Sequence, residues 1–266
     1  FEGHRASIER LGDHAFKYHV DFQGLNIDER YGAVCVSRPT NPTGNVIADS
    51  ELAGLRQRCE AAGVPLIIDG AYGLPFPGMI FTDVAPVWDE NIILCLSLSK
   101  LGLPGLRTGI VVATEAIIEL IRNANAINHL APGRVGPELA VSLMQQGQLM
   151  HLCDDYIRPF YRSKVRHALD VIHHKMADLP VRVHQAEGAL FLWLWFEDLP
   201  ISAEILYRRL VERGVYIIPG HHFFPGLEDD WPHRHECIRI NYAAEDPVVE
   251  AGIEIIAETV AAAYAD

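Results

Sequence analysis

Short runs of branched apolar residues recur along this chain with helix-like stretches between them, and that alternation constrains the fold more than any other feature. The pattern predicts strands over Lys17 to Phe22, Ala33 to Ser37, Pro65 to Asp69, Ile92 to Ser97 and Gly109 to Ala113. Helices are expected over Asp49 to Ala62, capped by Asp49 or Ser50 and closed by Gly63, and over Thr114 to Asn125. Such an order belongs to an α/β domain with a buried, largely parallel sheet. Ligands of open α/β sheets sit at the carboxyl ends of the strands. Polar residues fall at those ends here: Ser37 and Arg38 before Asn41, Asp69 before Tyr72, and Ser97 before Lys100.

Near residue 150 the texture changes. A long amphipathic stretch from Asp154 to Ala177 leads to apolar runs at Val181 to His184 and Ala189 to Phe196. A helix over Ser202 to Arg213, strands at Val215 to Ile218 and Cys237 to Tyr242, and a helix from Asp246 to about Ala263 complete the chain. We therefore expect one domain over residues 1–150 and a smaller α/β domain over 151–266 that includes the connecting helix.

The 266 residues carry 22 Lys and Arg against 35 Asp and Glu, a net charge of −13. That balance argues against nucleic acid and anionic membranes as partners. The five cysteines are scattered, with no C-x-x-C pair, which fits a reducing cytoplasm. Thirteen histidines invite a metal reading, notably His221-His222 and the pair His233 and His235. Adjacent histidines project in different directions and no helical His-x-x-x-His accompanies a carboxylate, so no metal is expected.

Lys100 leaves the apolar run Ile92 to Leu96 between Ser97, Ser99 and a glycine-rich turn that ends in Arg107. Burial there would disfavour the ammonium and free an amine for imine chemistry. Arg107 and the serine hydroxyls suit a phosphate. Asp69 reads either as a turn aspartate or as the partner of a protonated aromatic nitrogen. The run Arg38-Pro39-Thr40-Asn41-Pro42-Thr43-Gly44 is turn punctuation that also holds the Asn41 amide in place to donate.

In this order N-P-T-G, D-x-x-Y, S-x-S-K and a following arginine, each just after a strand, resemble the class I/II pyridoxal-phosphate aminotransferases of fold type I. The runs SRPTNPTGNVIAD, IIDGAYGLPFPGMIF, LCLSLSKLGLPGLRTGIVVA, EGALFLWLWFEDLP and PGHHFFPGL resemble the branch that exchanges an amino group between valine and pyruvate. The resemblance implies a three-layer, mostly parallel large domain, N-terminally incomplete here, plus a small α/β domain, in a cytoplasmic homodimer. It implies that Lys100 forms the imine with pyridoxal 5′-phosphate, that Asp69 pairs with its ring nitrogen, and that Asn41 and Tyr72 bond its phenolic oxygen. Ser97, Ser99 and Arg107 would hold the phosphate, Arg239 the substrate carboxylate, and His221 or His222 would line a side-chain pocket beside Phe223 and Phe224. A cis Asn41-Pro42 bond is also implied. Two alternatives stay open: a fold type I lyase or synthase with the same cofactor, and a non-catalytic aminotransferase-like domain of a regulator.

Overall fold

A computed structural model describes residues 1–130 and 133–265. The chain runs through β1 (Ser7–Leu11), β2 (Ala15–His19), β3 (Val34–Ser37), α1 (Asp49–Ala62), β4 (Leu66–Asp69), β5 (Ile92–Ser97) and β6 (Gly109–Val112). It continues with α2 (Glu115–His129), α3 (Val135–Gln145), α4 (Gln148–Leu152), α5 (Arg158–Lys175), β7 (Val181–His184) and β8 (Phe191–Phe196). The last elements are α6 (Ala203–Glu212), β9 (Ile218–Pro219), α7 (His233–Glu236), β10 (Cys237–Asn241) and α8 (Asp246–Ala265). Two compact units result, one of Phe1–Leu25, Asn41–Asn45 and Phe160–Asp266, the other of Asn26–Thr40 and Val46–Pro159.

The second unit holds a four-stranded sheet in the order β3-β4-β5-β6. Its β3, β4 and β5 run parallel, with Ser37 and Asp69, the last residues of β3 and β4, in register with Cys95, two residues before β5 ends. A parallel neighbour needs a long crossover, whereas residues 98–108 hold only two 3₁₀ turns, so β6 returns antiparallel to β5. Along β5 buried and half-buried residues alternate, as the pleat requires. Helix α1 spans the expected residues and ends at Gly63, whose φ of 68° suits glycine. Its cap differs from the expectation: Ala48 precedes the helix, and the Glu51 carboxylate accepts the Ala48 N–H at 2.9 Å.

The first unit is built on a six-stranded sheet in the order β1-β2-β7-β8-β10-β9. Residues 1–25, expected with the large sheet, pair here with β7 through β2. Strand β1, absent from the sequence reading, forms a hairpin with β2 across Gly12 at φ 69°. Its residues Ser7-Ile8-Glu9-Arg10-Leu11 are mostly exposed, so no apolar run announces an edge strand. By contrast every residue of β8 is buried. A strand covered on both faces has no polar side to alternate with, which is why its faces are illegible in sequence. The core over one face gathers Phe16, Tyr18, Trp193, Trp195 and Cys237. The Trp193 indole N–H donates to the Tyr18 oxygen at 3.0 Å, and that hydroxyl meets His233 Nε2 at 2.5 Å.

The implied cis Asn41-Pro42 bond is a correction. Among the described residues the cis bonds are Arg38-Pro39, Leu74-Pro75 and Phe76-Pro77, so the cis bond of this turn falls three residues earlier. The two isomers of an X-Pro bond differ little in energy, so the turn's sequence does not select which proline takes it.

Candidate active site

In the four-stranded unit the candidate residues gather at the carboxyl ends of β4 and β5. Lys100 lies in a single 3₁₀ turn, Ser99–Leu101, that begins where β5 ends. The Ser97 hydroxyl accepts the Ser99 N–H at 3.1 Å and Leu98 C=O accepts the Leu101 N–H at 3.0 Å, which fixes that turn. Gly102 ends it in the left-handed region. Lys100 is half-buried, and its Nζ lies 5.2 Å from the centroid of the Tyr72 ring.

Tyr72 is buried and firmly held. Its C=O accepts the Met79 N–H at 3.0 Å, and the neighbouring Gly73 lies so close to β3's exit that a Cβ there would stand 2.5 Å from Arg38 C=O. Only glycine allows that approach. Asp69 ends β4 with an exposed side chain, and its Oδ1 accepts the Ala71 N–H at 3.0 Å. This is the turn role read from sequence, yet it occupies one oxygen only. Among the described residues of its unit no cation pairs with Asp69, and no carboxylate pairs with Lys100 or Arg107.

Arg107 is exposed, with φ 47°, and donates to Pro104 C=O at 3.3 Å. A non-glycine residue in the left-handed region costs about 1 kcal/mol or more. The two 3₁₀ turns that hold it also hold Lys100. An amine, a carboxylate without a cation, two hydroxyls, a guanidinium and a phenol thus sit on adjoining loops. This donor set matches a group that carries an aldehyde, a basic ring nitrogen and a phosphate.

The other unit supplies a second cluster. Arg239 of β10 donates from Nη1 to the Asn41 side-chain oxygen at 2.6 Å. Its guanidinium carbon lies 4.2 Å from the Phe191 ring centroid and 5.1 Å from that of Phe223. Arg239 stands opposite Trp193 in the β8 to β10 ladder, so Phe191 is its diagonal neighbour on the same face. Both rings lie within cation–π range of the planar fork, a shape suited to bidentate work. In sequence Phe191 reads as plain strand core, and Phe223 only as a candidate for a side-chain pocket. Their contact with Arg239 depends on pairing register, which the sequence does not display.

His221 and His222 follow β9 on a 3₁₀ turn, Gly220–Phe223. The expectation that adjacent histidines diverge does not hold, because their ring centroids lie 4.1 Å apart. Side-chain rotation from a one-turn helix brings the rings back together. Phe223, rather than His221, is the residue of this turn that lies against Arg239. His233 is buried beneath Trp231, stacked at 4.7 Å, and burial pushes its imidazole down to about 4.

Residues 10–256 match the family of aminotransferases of class I and II, and the chain belongs to it. Over 266 residues it is 50% identical to the valine–pyruvate aminotransferase of Escherichia coli (strain K12), a match that takes in 100% of this chain and 64% of that protein. The crystal structure of valine-pyruvate aminotransferase from Salmonella typhimurium LT2 superposes with a TM-score of 0.96 at 50% identity, covering 98% of this chain and 68% of that one. The α-aminoadipate aminotransferase from Thermus thermophilus shares the fold, with a TM-score of 0.76 at 22% identity over 88% of this chain and 59% of that one. This chain therefore spans less than two thirds of the length of the E. coli protein.

Proposed function

We propose that this chain carries a pyridoxal 5′-phosphate-dependent transamination in which L-valine passes its amino group to pyruvate, giving 3-methyl-2-oxobutanoate and L-alanine. The observation that carries the reading is the Lys100 amine, 5.2 Å from the Tyr72 ring, on a turn that adjoins the Asp69 strand end. Identity of 50% to the E. coli valine–pyruvate aminotransferase supports the substrate pair.

When bound, the cofactor supplies an electron sink for the charge left on a substrate carbon that loses its proton. Lys100 would anchor it through the amine and, with that amine free, would carry the proton from the substrate Cα to the cofactor's C4′. The Asp69 carboxylate keeps the ring nitrogen protonated. Tyr72 and the Asn41 amide donate to the phenolic oxygen. With its oxygen turned to Arg239, the Asn41 side chain directs its NH₂ the other way. Ser97, Ser99 and Arg107 hold the phosphate, Arg107 as a planar fork. Arg239 takes the substrate carboxylate with its planar guanidinium, which lies against the Phe191 and Phe223 rings.

No helix among the described residues is long and apolar enough to cross a membrane. We place the enzyme in the cytoplasm, where five free cysteines suit a reducing medium, and as a homodimer. Support for the second point is the run of exposed Leu120, Ile127, Leu130 and Val135 along α2 and into α3.

The test is to incubate the chain with pyridoxal phosphate, reduce with borohydride and map pyridoxyl-lysine by peptide mass spectrometry. Label confined to Lys100, and lost in Lys100→Ala, is the expected result. Label scattered over other lysines, or none, overturns the assignment. Alanine formation that requires both valine and pyruvate then checks the substrate pair.

A further inference from the structure

Glu204, His221 and His222 each bring one ligand atom to within 4.8 Å of the others. Glu204 lies in the first turn of α6, whose start is fixed by Ser202 accepting the Ile205 N–H at 3.3 Å. The histidines lie on the 3₁₀ turn after β9. That turn is pinned at Gly220, where a Cβ would stand 2.7 Å from Cys237 C=O and 2.8 Å from Arg234 C=O. The three residues therefore come from two independently anchored elements of one unit.

His221 Nδ1 is buried and has no hydrogen-bond partner among the described residues. A buried imidazole nitrogen without a partner costs about 1–3 kcal/mol unless something satisfies it. His235 stacks on His221 at 5.5 Å, and its Nε2 accepts from Arg234 Nε at 3.1 Å. It supports the ring and is already engaged. Glu204 accepts from Arg208 Nε at 3.2 Å through Oε1. One carboxylate oxygen is enough for a metal, and the carboxylate offsets one of two charges on a divalent cation.

We propose that Glu204, His221 and His222 form a binding site for a divalent first-row transition-metal ion, zinc in the first instance. Two imidazoles and one carboxylate suit zinc, nickel or copper, whereas calcium and magnesium take oxygen ligands. Tetrahedral zinc with bonds of about 2.0–2.2 Å brings its ligand atoms to roughly 3.3 Å from one another. Atoms that lie within 4.8 Å of one another close by at most about 1.5 Å, through rotation of the Glu204 and His222 side chains, and water completes the shell. A metal here ties α6 to the turn that carries Phe223, the ring against Arg239.

The probe is zinc alone, titrated by calorimetry into metal-free protein, with cobalt(II) as a spectroscopic substitute. One zinc per chain is expected, with cobalt bands in the visible that report imidazole and carboxylate ligands. His222→Ala, exposed and therefore tolerated by the fold, and Glu204→Gln should each weaken binding about tenfold or more. His174→Ala, on the exposed face of α5, should leave it unchanged, and circular dichroism should show all three variants folded. Equal zinc binding in wild type, His222→Ala and Glu204→Gln overturns the site, as does a loss in His174→Ala of the same size. The readout needs no cofactor or turnover, so it stands or falls apart from the transaminase reading.

Discussion

Arg239 and Asn41, 198 positions apart in sequence, meet through a single hydrogen bond of 2.6 Å from guanidinium to side-chain amide oxygen. The bond joins the strand assigned to the substrate carboxylate to the turn assigned to the cofactor's phenolic oxygen. Replacing Arg239 by lysine keeps the charge but removes the fork and its packing against two rings. For the holoenzyme we expect KM for the amino-acid substrate to rise about 10–100-fold with kcat changed less, the loss of one charge-assisted pair. Steady-state kinetics checks this, and an unchanged KM would take Arg239 out of carboxylate binding.

Tyr18 joins the Trp193 indole to His233 inside the core of the six-stranded unit. Tyr18→Phe removes the oxygen that accepts from the buried Trp193 indole and leaves His233 Nε2 with Cys237 Sγ, at 3.5 Å. The expected cost is about 2 kcal/mol. A urea midpoint that does not move would show that the bonds contribute nothing net.

Acid should destabilise the same unit. Burial pushes His233 down to about 4 and His184 down to about 3, from an ordinary value of 6.5. Well above 6.5, from about pH 7.5, neither ring is protonated in the folded or the unfolded chain, and stability is at its full value. As the pH falls below 6.5 the unfolded chain takes up protons that the folded chain refuses. His233 alone then withdraws about 3 kcal/mol between pH 6.5 and 4. Urea midpoints at pH 7 and pH 5 measure the slope, and His233→Gln, which does not titrate, should reduce it by about half, His184 supplying the rest.

Two glycines with the same backbone conformation should respond differently to alanine. Gly44 has φ 69° and would place a Cβ 2.7 Å from Gly188 C=O. Gly63 has φ 68° with nothing within 4 Å. Gly63→Ala should cost about 1 kcal/mol, the left-handed penalty alone. Gly44→Ala should cost about 3 kcal/mol, because the clash with backbone adds to that penalty. Equal losses in denaturation would refute the role of the close approach.

Sequence determined those features whose cause is local. Apolar runs placed β4 and β5, and Gly63 placed the end of α1. Polar residues at strand exits singled out Asp69 and Lys100, because a strand end is written in a few neighbouring residues. The resemblance supplied Arg239 but not Phe191 and Phe223 around it. Only the tertiary structure decided the contacts that depend on register and on chain segments far apart. It set the antiparallel return of β6, the pairing of β2 with β7, the approach of two rings to Arg239, and the convergence of Glu204 with two histidines. Neighbours in sequence constrain backbone dihedrals, whereas these contacts depend on which strands pair and how distant side chains pack, and no local pattern encodes that.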